Sequence, residues 1–163
     1  METKLHHSKN GLSEKVRIES VALLNNSLAN LSDLYSQIKN AHWNVKGMEF
    51  YSLHTMFDLI AQDIEKQIDI VAERVTALGG TALGTVQDVV KNTNLNPYPN
   101  NIINAKEHLE KLSHNFAIVS EHARQKIKQT ESLGDYATSD IYINLVKLID
   151  LRLWFIEAHL QGK

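Results

Sequence analysis

Helix breakers constrain this chain more than any other feature. Its seven glycines and two prolines fall at Gly11, Gly47, Gly79, Gly80, Gly84, Pro97, Pro99, Gly134 and Gly162, leaving 12–46, 48–78, 100–133 and 135–161 free of both residue types. Each run far exceeds a strand and suits a helix of roughly 40 to 50 Å at about 1.5 Å per residue. Apolar residues recur in these runs at alternating steps of three and four. The first carries Val21, Leu24, Leu28, Leu31, Tyr35, Ile38 and His42; the second Phe57, Ile60, Ile64, Ile68, Val71, Val75 and Leu78. Leu109, Leu112, Phe116, Val119, Ala123 and Ile127 continue the pattern in the third, and Tyr142, Leu145, Ile149, Leu153, Ile156 and Leu160 in the fourth. Such stripes belong to helices packed against one another. With 43% of its residues hydrophobic, the chain has enough apolar material for one core.

The links fix the topology. Short turns around Gly47 and Gly134 permit only antiparallel neighbours, whereas the segment from Gly79 to Asn101 spans roughly 70 Å if extended at about 3.3 Å per residue. That is enough to return along the bundle. Val86, Val89 and Val90 predict a short helix midway, which Pro97 and Pro99 bring to an end. The expected architecture is all-α, a ferritin-like four-helix bundle over residues 13–163 with one long crossover. Residues 1–12 are polar and aperiodic and are expected to form a flexible N-terminal tail.

Several functional classes are excluded at once. The chain has no cysteine, so disulfides, zinc-thiolate sites, iron-sulfur clusters and thiol nucleophiles are absent, and any metal must bind through oxygen and imidazole nitrogen. No apolar run approaches a membrane span, and the first residues have no apolar signal core, so a cytoplasmic protein without a membrane partner is expected. A formal charge of -2 and a pI near 6.4 give no global basic field for nucleic acid.

The second helix carries the chemistry. His54, Asp58, Glu65, Asp69 and Glu73 project onto an arc of about 100°, beside the apolar stripe. A charged row is ordinarily a solvated face, and Glu65 and Asp63 read that way. For the others, a histidine in register with carboxylates four residues apart argues for a bound cation, which would also relieve the repulsion between Asp69 and Glu73. Only Lys66 and Arg74 stand nearby to do so otherwise. Asp58 and Asp69 are eleven residues apart, about 16 Å along the axis, so one straight helix cannot bring both to one ion. His54 with Asp58 and Asp69 with Glu73 are therefore half-sites. An antiparallel second copy, related by a two-fold axis near residue 64, would bring them together between subunits. His42, alone on an apolar stripe, reads more readily as a core histidine or a favourable cation at a helix C-terminus than as a ligand. No Glu has a His three residues later, so the Glu-x-x-His pair of bundle-core di-iron proteins is missing.

The runs Ala41-His-Trp-Asn-Val-Lys-Gly47, Leu53-His-Thr-Met-Phe-Asp58, Asp69-Ile-Val-Ala-Glu-Arg74, Leu78-Gly-Gly, Ala82-Leu-Gly84 and Leu153-Trp-Phe-Ile-Glu157 resemble the DNA-protection-during-starvation (Dps) mini-ferritins. The likeness extends from about residue 13 to the end. It implies a hollow homododecamer with Fe(II)/Fe(III) at inter-subunit di-iron centres and no organic cofactor. Matched position by position, the ligands are His42, His54 and Asp58 from one subunit and Asp69 and Glu73 from its mate, with none substituted. The family pattern places His42, Asp69 and Glu73 on one iron, and His54 and Asp58, sharing Glu73, at a weaker second position. Trp43 lies beside the site, where the family uses it to intercept oxidising equivalents; its plainer role is interface packing.

The resemblance implies Fe(II) oxidation by hydrogen peroxide, storage of the ferric product as mineral and protection of DNA from oxidative damage. Asp135 and Asp140, at the start of the last helix, match the carboxylates of the iron-entry pore, although acids there also offset the helix dipole. Lys4, Lys9 and Lys15 offer a weak basic tail that many copies on one particle could turn into non-specific DNA binding, with nucleoid association as the consequence. The competing readings are a DNA-compacting shell and a buffer for another divalent metal, each with little ferroxidase activity.

Overall fold

The computed structural model describes residues 5–161. Five helices account for most of them: α1 (Glu14–Asn44), α2 (Phe50–Ala77), α3 (Val86–Asn92), α4 (Ala105–Ser132) and α5 (Tyr136–Gln161). The α1–α2 and α4–α5 hairpins pack face to face, and α3 lies in the crossover against α1. The breaker map thus yields the expected four long helices and the short fifth. Leu24, Leu28, Leu31, Phe57, Ile60, Ile64, Leu112, Phe116, Tyr142 and Ile149 are sequestered along the bundle axis. Ser13, Thr85 and Asn104 cap α1, α3 and α4, each accepting a backbone N–H of the first turn.

Gly79 and Gly134 end α2 and α4 with φ of 86° and 76°, a left-handed conformation that glycine adopts without steric penalty. The following N–H groups return to the last turns, Gly80 N to Val75 O and Asp135 N to Thr130 O, both at 2.9 Å. This six-to-one bond turns the chain sharply.

The crossover is held mainly by its backbone. A polar row on α1 spaced along its length reaches out to it: Asn25 binds Thr81 O and Leu83 N, Asn26 binds Asn92 O, Asn30 binds Asn94 N, and Gln37 binds Asn96 O. Asp33 adds the Thr93 hydroxyl at 2.7 Å. Lys46 N donates to Ile103 O at 3.2 Å where the crossover reaches the far end.

Residues 5–12, the described part of the expected tail, lie against the bundle. Leu5 packs on the core, and His6 N donates to Gly79 O at 2.7 Å, docking the segment on the C-terminus of α2. Its polar residues fold locally, with Asn10 Oδ1 accepting Leu12 N at 3.0 Å. The segment satisfies a helix-end carbonyl that would otherwise need water.

Candidate metal centre

His42 lies in the last turn of α1 and His54 in the first turns of α2, so the Gly47 turn brings the two rings together. They stack with centroids 3.8 Å apart and planes 21° from parallel. The pairing is reciprocal: His42 Nδ1–H donates to His54 O at 2.8 Å, and His54 Nδ1–H donates to His42 O at 2.9 Å. A carbonyl oxygen only accepts, so a proton sits on Nδ1 of each ring, and Nε2 is the nitrogen left over for a metal. Such backbone partners commonly orient metal-binding imidazoles.

Asp58, one turn beyond His54, brings Oδ1 within 4.0 Å of His42 Nε2. The same oxygen accepts from Lys39 Nζ at 2.7 Å, and Oδ2 accepts from Gln62 Nε2 at 3.1 Å. The hydrogen bond from Lys39 is the main reason that Asp58 stays ionised below the usual carboxylate range. Lys39 also lies 5.8 Å from the centre of the Trp43 ring, and that indole is 66% exposed. Lys39 was missed in the sequence, where its spacing of three from His42 on one helix face was the available signal.

Asp69 and Glu73 are exposed farther along α2. Neither joins the histidine pair, and among the described residues no three His, Asp or Glu side chains of one chain gather tightly enough for an ion. The two half-sites remain separate within a chain, as the spacing along α2 required. Asp63 departs from the solvated reading, because it pairs with Arg152 of α5. Arg74 is not available to neutralise Glu73. Its Nη2 donates to Asp135 Oδ1 at 2.8 Å and its Nε to Thr138 Oγ1 at 2.9 Å.

The two acids proposed for a pore part company. Asp135 is 1% exposed, caps α5 through Thr138 N at 3.1 Å and the Thr138 hydroxyl at 2.5 Å, and neutralises Arg74. Burial raises its pKa, but these hydrogen bonds and the charge of Arg74 outweigh burial and leave it lowered. Within the chain Asp135 is thus a structural cap. Asp140 is exposed and accepts Asn144 Nδ2 at 3.0 Å. Of the tail lysines, Lys9 and Lys15 are exposed, and Lys4 lies outside the described residues.

Bundle topology and crossover together define a ferritin-like protein, and a ferritin-like domain model matches residues 21–162. The DNA protection during starvation protein of Agrobacterium fabrum is 38% identical over 160 residues, covering 98% of this chain and 99% of its own. The protein of the same name from Mycolicibacterium smegmatis is 31% identical over 152 residues, with 93% and 82% covered. DpsC from Streptomyces coelicolor superposes with a TM-score of 0.95 at 28% identity, covering 98% of this chain and 94% of that one. A Dps protein from Vibrio cholerae O1, described as a member of a broad superfamily of ferritin-like diiron-carboxylate proteins, gives 0.90 at 25% identity over 97% and 100%. The chain belongs to the Dps mini-ferritins. Among the described residues, no helix is long and apolar enough to cross a membrane.

Proposed function

We propose that this chain is the subunit of a dodecameric shell that oxidises Fe(II), preferentially with hydrogen peroxide, and stores the ferric product as an oxide mineral. One observation carries the reading: the reciprocal His42–His54 pair turns both Nδ1 atoms to backbone carbonyls, with His42 Nε2 4.0 Å from Asp58 Oδ1, while Asp69 and Glu73 lie out of reach on the same chain. Imidazole and carboxylate suit Fe(II), and carboxylates favour the harder ferric product. The five residues form complementary halves that a two-fold partner completes, His42, His54 and Asp58 facing the partner's Asp69 and Glu73.

In this reading iron is substrate. Two Fe(II) ions each give one electron to hydrogen peroxide, which takes up two protons and leaves as two waters, so no hydroxyl radical is released. The chain's part is positional. The backbone carbonyls fix each imidazole, and Asp58 must exchange Lys39 for metal. Trp43, exposed beside the site, intercepts stray oxidising equivalents. Asp140 contributes negative charge to the path by which iron enters. Shielding DNA from peroxide and iron fits the names of the relatives, and a cytoplasmic location fits that role. Non-specific DNA contact would fall to the exposed Lys9 and Lys15, with Lys4.

The test is peroxide-driven Fe(II) oxidation by the wild type and by a His42→Ala, His54→Ala, Asp58→Ala triple variant that still assembles. Loss of the fast phase is the expected outcome; equal rates would remove the site assignment. Oxygen-driven oxidation in the same apparatus separates this function from a zinc or manganese buffer or a DNA-compacting shell, neither of which would turn over iron.

A further inference from the structure

Away from the histidine pair, Lys126 of α4 is buried to 7% exposure in the interface with α1. Its Nζ donates to Asn26 Oδ1 at 2.6 Å and Ser27 Oγ at 2.8 Å, both neutral oxygens. The other charged side chain sequestered to that degree among the described residues, Asp135, has the Arg74 guanidinium. Lys126 has no carboxylate within 4.0 Å among the described residues, although a buried ammonium without a counter-charge is costly. Burial alone pulls its pKa down to about 8.

Lys126 also lines an open groove of about 550 Å³, together with Asn26, Asn94, His122, Gln125 and Gln129. Several polar atoms there remain uncommitted. His122, one turn before Lys126, has a buried Nδ1 with no partner. Asn94 accepts from Asn26 through Oδ1 at 2.8 Å, which leaves its amide N–H groups free, and an ammonium with two acceptors keeps a third N–H. The nearby acid, Glu121, is exposed and accepts Gln125 Nε2 at 2.9 Å. The groove thus combines an unneutralised cation with neutral donors, which is the complement of a small oxyanion.

We propose that the Lys126 groove between α1 and α4 binds a small tetrahedral oxyanion of the phosphate class. The ion supplies the counter-charge that the fold omits, and the amide donors orient it. Because the ammonium is recessed, a free ion reaches it more readily than a phosphate fixed in a duplex backbone.

The experiment is isothermal titration of metal-free, assembled protein with inorganic phosphate at low salt. One saturable site per subunit, with a Kd on the order of millimolar, is expected. Lys126→Met should weaken binding at least about tenfold, whereas Lys126→Arg, which keeps the charge, and Lys128→Met, on the exposed face two residues away, should both bind. Should Lys126→Met fail to assemble, Lys126→Gln takes its place. No saturable binding by the wild type, undiminished binding by the neutral variant, or an equal loss in Lys128→Met would overturn the proposal. A short duplex DNA that displaced the phosphate would overturn its assignment to a free ion; failure of the duplex to compete supports it.

Discussion

Replacing Asp135 with alanine removes two things at once. The first is the cap of α5, through Thr138 N and its hydroxyl, a loss of about 1 kcal/mol. The second is the counter-charge of Arg74, whose side chain is 17% exposed and would be left largely buried and unpaired. Breaking a fully buried pair costs about 3 to 5 kcal/mol, and partial exposure of Arg74 puts this one at the lower end. The total of about 4 kcal/mol corresponds to a fall in Tm of roughly 8 to 16 °C for a chain of this size. Calorimetry of metal-free protein at fixed subunit concentration measures it. Asp135→Ala with Arg74→Met should recover part of the loss, since no charge is then stranded. A fall under about 2 °C, or strict additivity in the double variant, would refute the coupling between helix cap and ion pair. The pH dependence has a definite sign. The folded pKa of Asp135 is lowered, so its contribution is present above the unfolded carboxylate pKa and is lost as pH falls through the folded value.

Lys39→Gln removes the ammonium that iron must displace from Asp58, so Fe(II) or a redox-inert mimic such as Zn(II) should bind the assembled protein more tightly by at least a few-fold in a competition titration. Unchanged affinity would show that Lys39 does not compete with the metal. Gly79→Ala forces φ of 86° on an alanine and sets its Cβ 2.7 Å from His6 O, so it should lower stability by about 1 to 2 kcal/mol and raise proteolysis of the N-terminal segment. Asp140→Asn should slow mineral growth without altering assembly, followed by absorbance of the ferric product; an unchanged rate would take Asp140 out of the entry path.

The bundle was legible because its evidence is local. Breakers bound each helix, stripes of three and four mark the buried faces, and three valines reveal α3. The separation of His54 and Asp58 from Asp69 and Glu73 was legible too, since eleven residues of helix separate Asp58 from Asp69 whatever surrounds them. Lys39 on Asp58, Arg152 on Asp63 and Arg74 on Asp135 were not, because each pair joins different elements and depends on how the helices are rotated against one another. Asp135 looked like a surface acid for the same reason: a carboxylate at a helix start reads as a cap or as a pore charge until its neighbours are known. The docking of residues 5–12 left little trace in side-chain chemistry, since its anchor is a backbone bond between His6 and Gly79.

The polar row on α1 recognises the crossover mostly by main-chain groups: Thr81 O, Leu83 N, Asn92 O, Asn94 N and Asn96 O. Every residue offers both kinds of group, carbonyl and N–H, except that proline lacks the N–H, so the path of this segment is nearly independent of its own spelling. The helix behaves as a ruler and the crossover as a strip laid along it. Side chains on the outer face of that strip, Val86, Val90 and Lys91 among them, can therefore be rewritten to meet a different neighbour without moving the strip. The same subunit could be given new assembly contacts there while its histidine pair stayed in place.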